Sequence, residues 1–166
     1  MFAQAVIDSL EFARTEQTLH GILPISSLVR LQDSLHDALG QVEISVQGGR
    51  DAQFRPVLKL AITGALHLRC QRCLQRLDYP LQLSNTLLLV NEAAAQTGEF
   101  DEMEADWIVA SREQNVAELV EDELLLSLPY SPRHPEGRCA QVEGGGRLPG
   151  EISPFAKLAE LKKGHH

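Results

Sequence analysis

Between Phe54 and Val90, two hydrophobic runs with the two-residue period of a strand are joined by Cys70-Gln71-Arg72-Cys73-Leu74. On the incoming run Leu58, Leu60, Ile62, Leu66 and Leu68 share one parity, against Lys59, Thr63, His67 and Arg69 on the other. On the outgoing run Leu77, Tyr79, Leu81, Leu83, Leu87 and Leu89 alternate with Asp78, Gln82, Ser84 and Thr86. Each run has one face to bury and one to hydrate, and so short a link can join only an antiparallel pair. The expected centre of the fold is a long hairpin, about 54–90, carrying two thiols at its tip.

The flanking sequence places an α+β fold around this hairpin. A first strand is expected near Ala5 to Leu10, and Gly21-Ile22-Leu23-Pro24 reads as a connection. Ser26 or Ser27 then caps a helix with the stripe Leu28, Leu31, Leu35 and Leu39, ended by Gly40. Val42, Ile44 and Val46 alternate with polar residues as a strand, followed by a turn at Gly48-Gly49-Arg50-Asp51. After Val90 an acidic excursion, about 91–111, includes the run Glu99, Asp101, Glu102, Glu104 and Asp106, and ends in Trp107-Ile108-Val109, which can pair with a sheet edge. Asn115, with Glu118 three residues on, caps a helix whose stripe is Val116, Leu119, Val120 and Leu124, stopped at Leu128-Pro129. Glu121, Asp122 and Glu123 are expected to form its anionic flank. Residues 1–143 are read as one domain, and 144–166 as a glycine joint (Gly144-Gly145-Gly146) with a short amphipathic helix bearing Phe155, Leu158 and Leu161.

At 166 residues the chain can bury a core without help from a metal. It has no apolar run of membrane-spanning length, and Met1 to Leu19 has no basic start followed by an apolar stretch, so no signal peptide is expected. Three cysteines, two of them in CxxC spacing, suit a reducing compartment, and the expected location is the cytoplasm. The net charge of −8 is uneven: residues 1–80 hold eight basic and eight acidic side chains, and 81–166 hold seven and fifteen. Such a chain is not expected to coat itself along phosphates, although Arg69, Arg72 and Arg76 make a local basic cluster at the hairpin tip. The acidic half suits a basic protein partner. Phosphate loops, HExxH and GxSxG are absent, and aromatic residues are too scattered to suggest a base-stacking platform.

Cys70 and Cys73 supply two soft ligands from one turn, and His134 and Cys139 add an imidazole and a third thiol from a stretch with prolines at 129, 132 and 135. Zinc fits this Cys3His set, being borderline-soft, tetrahedral and redox-inert. Two other readings stand beside it: reduced thiols at a strand end with His134 solvated, and a redox or catalytic centre. The second lacks the strand-then-helix setting of a low-pKa CxxC and any acid near it other than Glu136.

Four features together resemble the YceD family of bacterial and plastid proteins, named for large ribosomal RNA subunit accumulation. They are Cys70-Gln71-Arg72-Cys73 after a long strand, Val120-Glu121-Asp122-Glu123-Leu124 running into Leu128-Pro129, His134 followed by Cys139, and Pro154-Phe155-Ala156 with Leu158-Ala159 and Leu161-Lys162. The resemblance implies a cytoplasmic protein needed for synthesis, processing or stability of 23S ribosomal RNA, with no established catalytic activity. Other branches carry more cysteines in the second half, where this chain offers Cys139 and His134. The expected function is a non-catalytic ribosome-biogenesis factor, with Arg69, Arg72 and Arg76 on RNA phosphate and Glu118, Glu121 and Asp122 on a basic ribosomal protein or processing enzyme. The alternatives are a zinc- or thiol-dependent enzyme acting on RNA or a redox partner, and an adaptor that contacts only proteins.

Overall fold

The computed structural model describes residues 5–97 and 105–139. Its centre is the hairpin: β4 (Pro56–Arg69) and β5 (Arg76–Val90) pair antiparallel from Val57 opposite Leu88 to Arg69 opposite Arg76. β3 (Gln41–Arg50) lies on the other side of β4, and β2 (Thr18–Pro24) outside β3, both antiparallel. β6 (Trp107–Val109) closes the far edge parallel to β5, so the sheet order is β2-β3-β4-β5-β6. Residues of the expected parity, Leu58, Leu60, Ile62, Leu66 and Leu68, are buried on one face with Val42, Ile44 and Val46. The reverse face carries Lys59, Ala61, Thr63, Gln82 and Ser84 and is wet, apart from a small apolar patch of Val57, Leu88 and Val90 packed by Trp107 and Ala95. Ala95 belongs to α2 (Glu92–Gln96), a short helix capped by the Asn91 side chain within the stretch expected to be irregular.

Three sequence expectations are corrected around the hairpin. The first strand shrinks to β1 (Val6–Ile7), paired with β7 (Gln114–Asn115), because the Asp8 carboxylate accepts from Glu11 N–H at 3.0 Å and starts α1 (Ser9–Arg14). Residues 18–24 form β2 rather than a connection, with Leu23 fully buried against the core. Gly48, Gly49 and Arg50 continue β3, and the turn comes later, where Asp51 accepts from the N–H groups of Gln53 and Arg55.

The leucine-striped helix expected after Ser26 is also absent. Two 3-10 turns, Ile25–Ser27 and Arg30–Ser34, are followed by an extended Leu35 that bridges to Leu68. Leu28, Leu31 and Leu35 are buried as expected, but Leu39 is 66% exposed. The leucines are thus buried by a strap laid across the sheet. Asp37 helps to end any helix, because its carboxylate accepts the Leu39 N–H and offers the backbone a local alternative.

α3 (Val116–Ser127) forms as the Asn115 cap and apolar stripe predict, with the cap oxygen accepting from Ala117 and Glu118 N–H groups. Two of its acids do not join a solvated flank. Glu121 and Glu123 are each only 6% exposed. Arg30 from the strap donates to Glu121 at 3.0 Å and to Asp122 at 2.6 Å, and Leu31 N–H donates to the other Glu121 oxygen. Asn85 of β5 donates to both Glu123 and Asp106. These carboxylates therefore fasten α3 to the strap and the sheet. The acids at 99–104, the glycine joint and the C-terminal amphipathic segment lie outside the described residues.

Candidate metal centre

The hairpin tip is a knuckle. Leu74 N–H donates to Cys70 O at 2.9 Å and Cys70 N–H to Gln75 O at 3.0 Å, with Leu74 held at φ +61°. This tight turn directs both thiols inward: Cys70 is fully buried and Cys73 is 4% exposed. The second half arrives from the proline-rich stretch after α3. Prolines keep it from becoming helical, and Gln71 N–H ties it to the knuckle through Pro132 O at 2.8 Å. Gly137, at φ +77°, then turns the chain so that Arg138 N–H reaches Pro135 O at 3.1 Å and Cys139 comes back over the tip.

The four expected ligands come together across more than sixty residues of sequence. Their ligand atoms all lie within 4.8 Å of one another. Cys70 Sγ is 3.8 Å from Cys139 Sγ, and His134 Nδ1 is 3.4 Å from Cys73 Sγ and 4.0 Å from Cys139 Sγ. A tetrahedral zinc with Zn–S near 2.3 Å and Zn–N near 2.1 Å requires ligand separations of about 3.5–3.8 Å, so the donor set fits. The imidazole is oriented for the task. Its Nε2 lies 2.9 Å from Arg76 O, which only accepts, so the proton is assigned to Nε2 and the lone pair of Nδ1 faces the sulfurs.

The thiols are also differentiated. Burial alone raises Cys70, but backbone N–H groups of Cys73, His134 and Arg72 favour its thiolate and bring its pKa down to about 5. Burial, together with hydrogen bonds that its thiol donates to the Cys70 and Cys73 sulfurs, pushes Cys139 up. The surroundings thus favour the thiolate at Cys70 and the protonated thiol at Cys139, whose proton a metal ion would have to displace. Three thiolates around a divalent ion would leave one net negative charge beside the arginine cluster. Arg69 and Arg76 sit directly opposite each other on β4 and β5, an unfavourable like-charge pairing only partly relieved by Asp78, which accepts from Arg76 at 2.7 Å. Arg69, Arg72 and Arg76 are all exposed.

Of the residues expected to meet a protein partner, Glu121 faces inward, whereas Glu118 and Asp122 remain exposed. His36 and His67, which look isolated in sequence, flank Asp37 beside the knuckle: His67 Nδ1 is 2.6 Å from one of its oxygens and His36 Nδ1 3.3 Å from the other. Only the strap, invisible in sequence, brings them together. The hydrogen bond from His67, above all, holds Asp37 near pKa 2 rather than its usual 3.8. Asp37 therefore contributes stability that is complete above pH 3.8 and lost as pH falls through 2. In acid titrations followed by circular dichroism, His67→Asn should flatten the loss between pH 4 and 2; a profile parallel to the parent's would remove this link.

Comparison with known proteins shows the family. A family model described as "Large ribosomal RNA subunit accumulation protein YceD" matches residues 58–162, which contain all but the first two residues of the hairpin strands, α3 and the whole Cys3His set. A Haemophilus influenzae protein of the same description is 28% identical over 167 aligned positions, covering 95% of this chain and 94% of that protein. No solved structure matches the chain. Since the family model spans well over half of the 166 residues, the chain belongs to the YceD family.

Proposed function

We propose that this chain is a non-catalytic ribosome-biogenesis factor that promotes synthesis, processing or stability of 23S ribosomal RNA in the cytoplasm. Its docking platform would be the hairpin tip, braced by a structural zinc. The observation that carries this reading is the convergence of Cys70, Cys73, His134 and Cys139, which pins the proline-rich stretch beside three exposed arginines. Four protein ligands fill a tetrahedral shell and leave no position for a reacting water, which favours bracing over chemistry. Arg69, Arg72 and Arg76, exposed at the tip, would meet RNA phosphate, and Glu118, with Asp122 shared with Arg30, would offer a smaller anionic surface to a basic ribosomal protein or processing enzyme. Among the described residues no helix is long and apolar enough to cross a membrane.

Arginines beside an anionic metal centre have a second physical use, which is to balance its charge. The double variant Arg72→Glu with Arg76→Glu separates the two roles. An RNA-contacting role predicts weaker association with 23S ribosomal RNA fragments and a salt slope shallower by about two, one for each lost phosphate contact. Unchanged RNA binding with reduced zinc content would assign the arginines to the metal alone and leave the RNA contact without support.

A further inference from the structure

At the end of the sheet away from the metal centre, the turn from β3 to β4 presents an aromatic ring to solvent. Phe54 is 78% exposed, and its backbone sits at φ +62°, a region a bulky side chain enters only at a cost. The turn is held rigidly. Asp51 accepts from the N–H groups of Gln53 and Arg55 and from the Arg55 guanidinium at 2.6 Å, and Phe54 N–H donates to Asp51 O at 3.0 Å. Beside the ring lies a concavity of about 270 Å³ lined by Leu10, Ala13, Arg14, Arg50, Phe54 and Pro56. Leu10 is itself 48% exposed, and the guanidinium-bearing side chains of Arg14 and Arg50 are exposed on the wall. The nearby carboxylates are engaged: Glu11 pairs with Arg14 at 2.6 Å, and Asp51 with Arg55.

We propose, building on the RNA-binding reading above, that the Phe54 turn, a single ring and not a multi-aromatic platform, is a second RNA contact, which stacks one unpaired base on the Phe54 ring and meets the adjoining phosphate with Arg50 and Arg14. A rigid aromatic face flanked by cations is the surface that single-stranded RNA recognises, because every base offers a π-face and every linkage a negative charge. The concavity is at the small end for ligand sites, which suits one base rather than a duplex groove or a folded protein surface. Arg50 supplies the charge complementarity. Arg14, already bridged to Glu11, contributes a shared guanidinium. The site is distinct from the hairpin tip, since β4 alone separates them by about 40 Å at ~3.3 Å per residue.

The test uses the full chain and a labelled 12-nucleotide oligouridylate, with a duplex RNA of equal length for comparison. Phe54→Gly is the informative variant, because glycine accepts the positive φ without strain and removes only an exposed ring. The expected result is a melting temperature at or above the parent's, with oligouridylate bound about tenfold more weakly and duplex binding unchanged. Arg50→Glu should weaken the same probe and reduce its salt dependence. Parent-level oligouridylate binding by Phe54→Gly, no oligouridylate binding by the parent, or equal loss of duplex binding would each overturn the proposal. So would loss of a protein partner with RNA binding intact. The hairpin-tip reading fails separately: it is the Arg72→Glu, Arg76→Glu chain, not Phe54→Gly, that must lose association with 23S fragments.

Discussion

Under the proposed zinc site, a chelator is expected to lower the parent chain's melting temperature by roughly 10 °C, whereas Cys73→Ser should start at the lower value and ignore the chelator. The size follows from mass action: zinc at a thousandfold excess over its Kd stabilises the bound fold by about 4 kcal/mol, and a chain of this length shifts ~2–4 °C per kcal/mol. The loss should be local. Leu58, Leu60, Ile62, Leu66 and Leu68 are buried with the strap and α3 irrespective of the tip, so the sheet should survive. By contrast, residues 129–139 are tied back mainly through His134, Cys139 and the single backbone bond from Gln71 to Pro132. Limited trypsin digestion should therefore open first after Arg133 and Arg138 in the stripped protein and in Cys73→Ser, with the hairpin still protected. A chelator-insensitive melting temperature and an unchanged digest in the parent would remove the metal. A single fast-reacting thiol in its place would instead revive a redox role.

Gly48→Ala is expected to cost at least about 3 kcal/mol, far more than Gly49→Ala next to it. A methyl group at Gly48 would lie 2.3 Å from Phe12 O, 2.7 Å from Phe12 C and 2.8 Å from Ala13 Cα, all of them backbone or backbone-attached atoms that cannot swing away. At Gly49, on the opposite face, nothing lies within 4 Å. α1 rests directly on β3 at this point, and Gly48 N–H also donates to Gln17 O at 2.8 Å. The added carbon must lift α1 and with it Phe12 and Ala13, which are 5% and 0% exposed. Thermal denaturation of the two variants, with hydrogen exchange across residues 9–14, checks this: equal melting temperatures would mean that the close approach does not govern stability. Because Leu10, Ala13 and Arg14 also form one wall of the Phe54 concavity, Gly48→Ala should disturb that site as well.

These two positions show unequal legibility in the sequence. The CxxC and the downstream His134 and Cys139 could be paired from their chemistry, since few other uses bring three soft ligands and an imidazole into one short chain. Gly48 gave no such sign. In sequence it looks like half of a turn, and its actual role depends on a helix arriving from residues 9–14. Arg30 was equally silent: a lone arginine in a leucine-striped segment proved to be the link that occupies Glu121 and Asp122. Phe54 likewise acquires meaning only once α1 brings Leu10 and Arg14 beside it.

Local chemistry was sufficient for the hairpin and its parity, the Asn115-capped helix and the choice of the four thiol and imidazole side chains that converge at the tip. Each depends on side chains a few residues apart or on a strict alternation, and such patterns act before the chain has a tertiary structure. Tertiary structure alone decided that Leu28, Leu31 and Leu35 would lie in a strap, that Glu121 and Glu123 of α3 would turn inward, and that an arginine-flanked ring would stand at the far end of the sheet. In these places burial and long-range pairing outweigh weak local propensity, because a buried carboxylate or leucine stripe can be satisfied by any geometry that supplies a partner and excludes water.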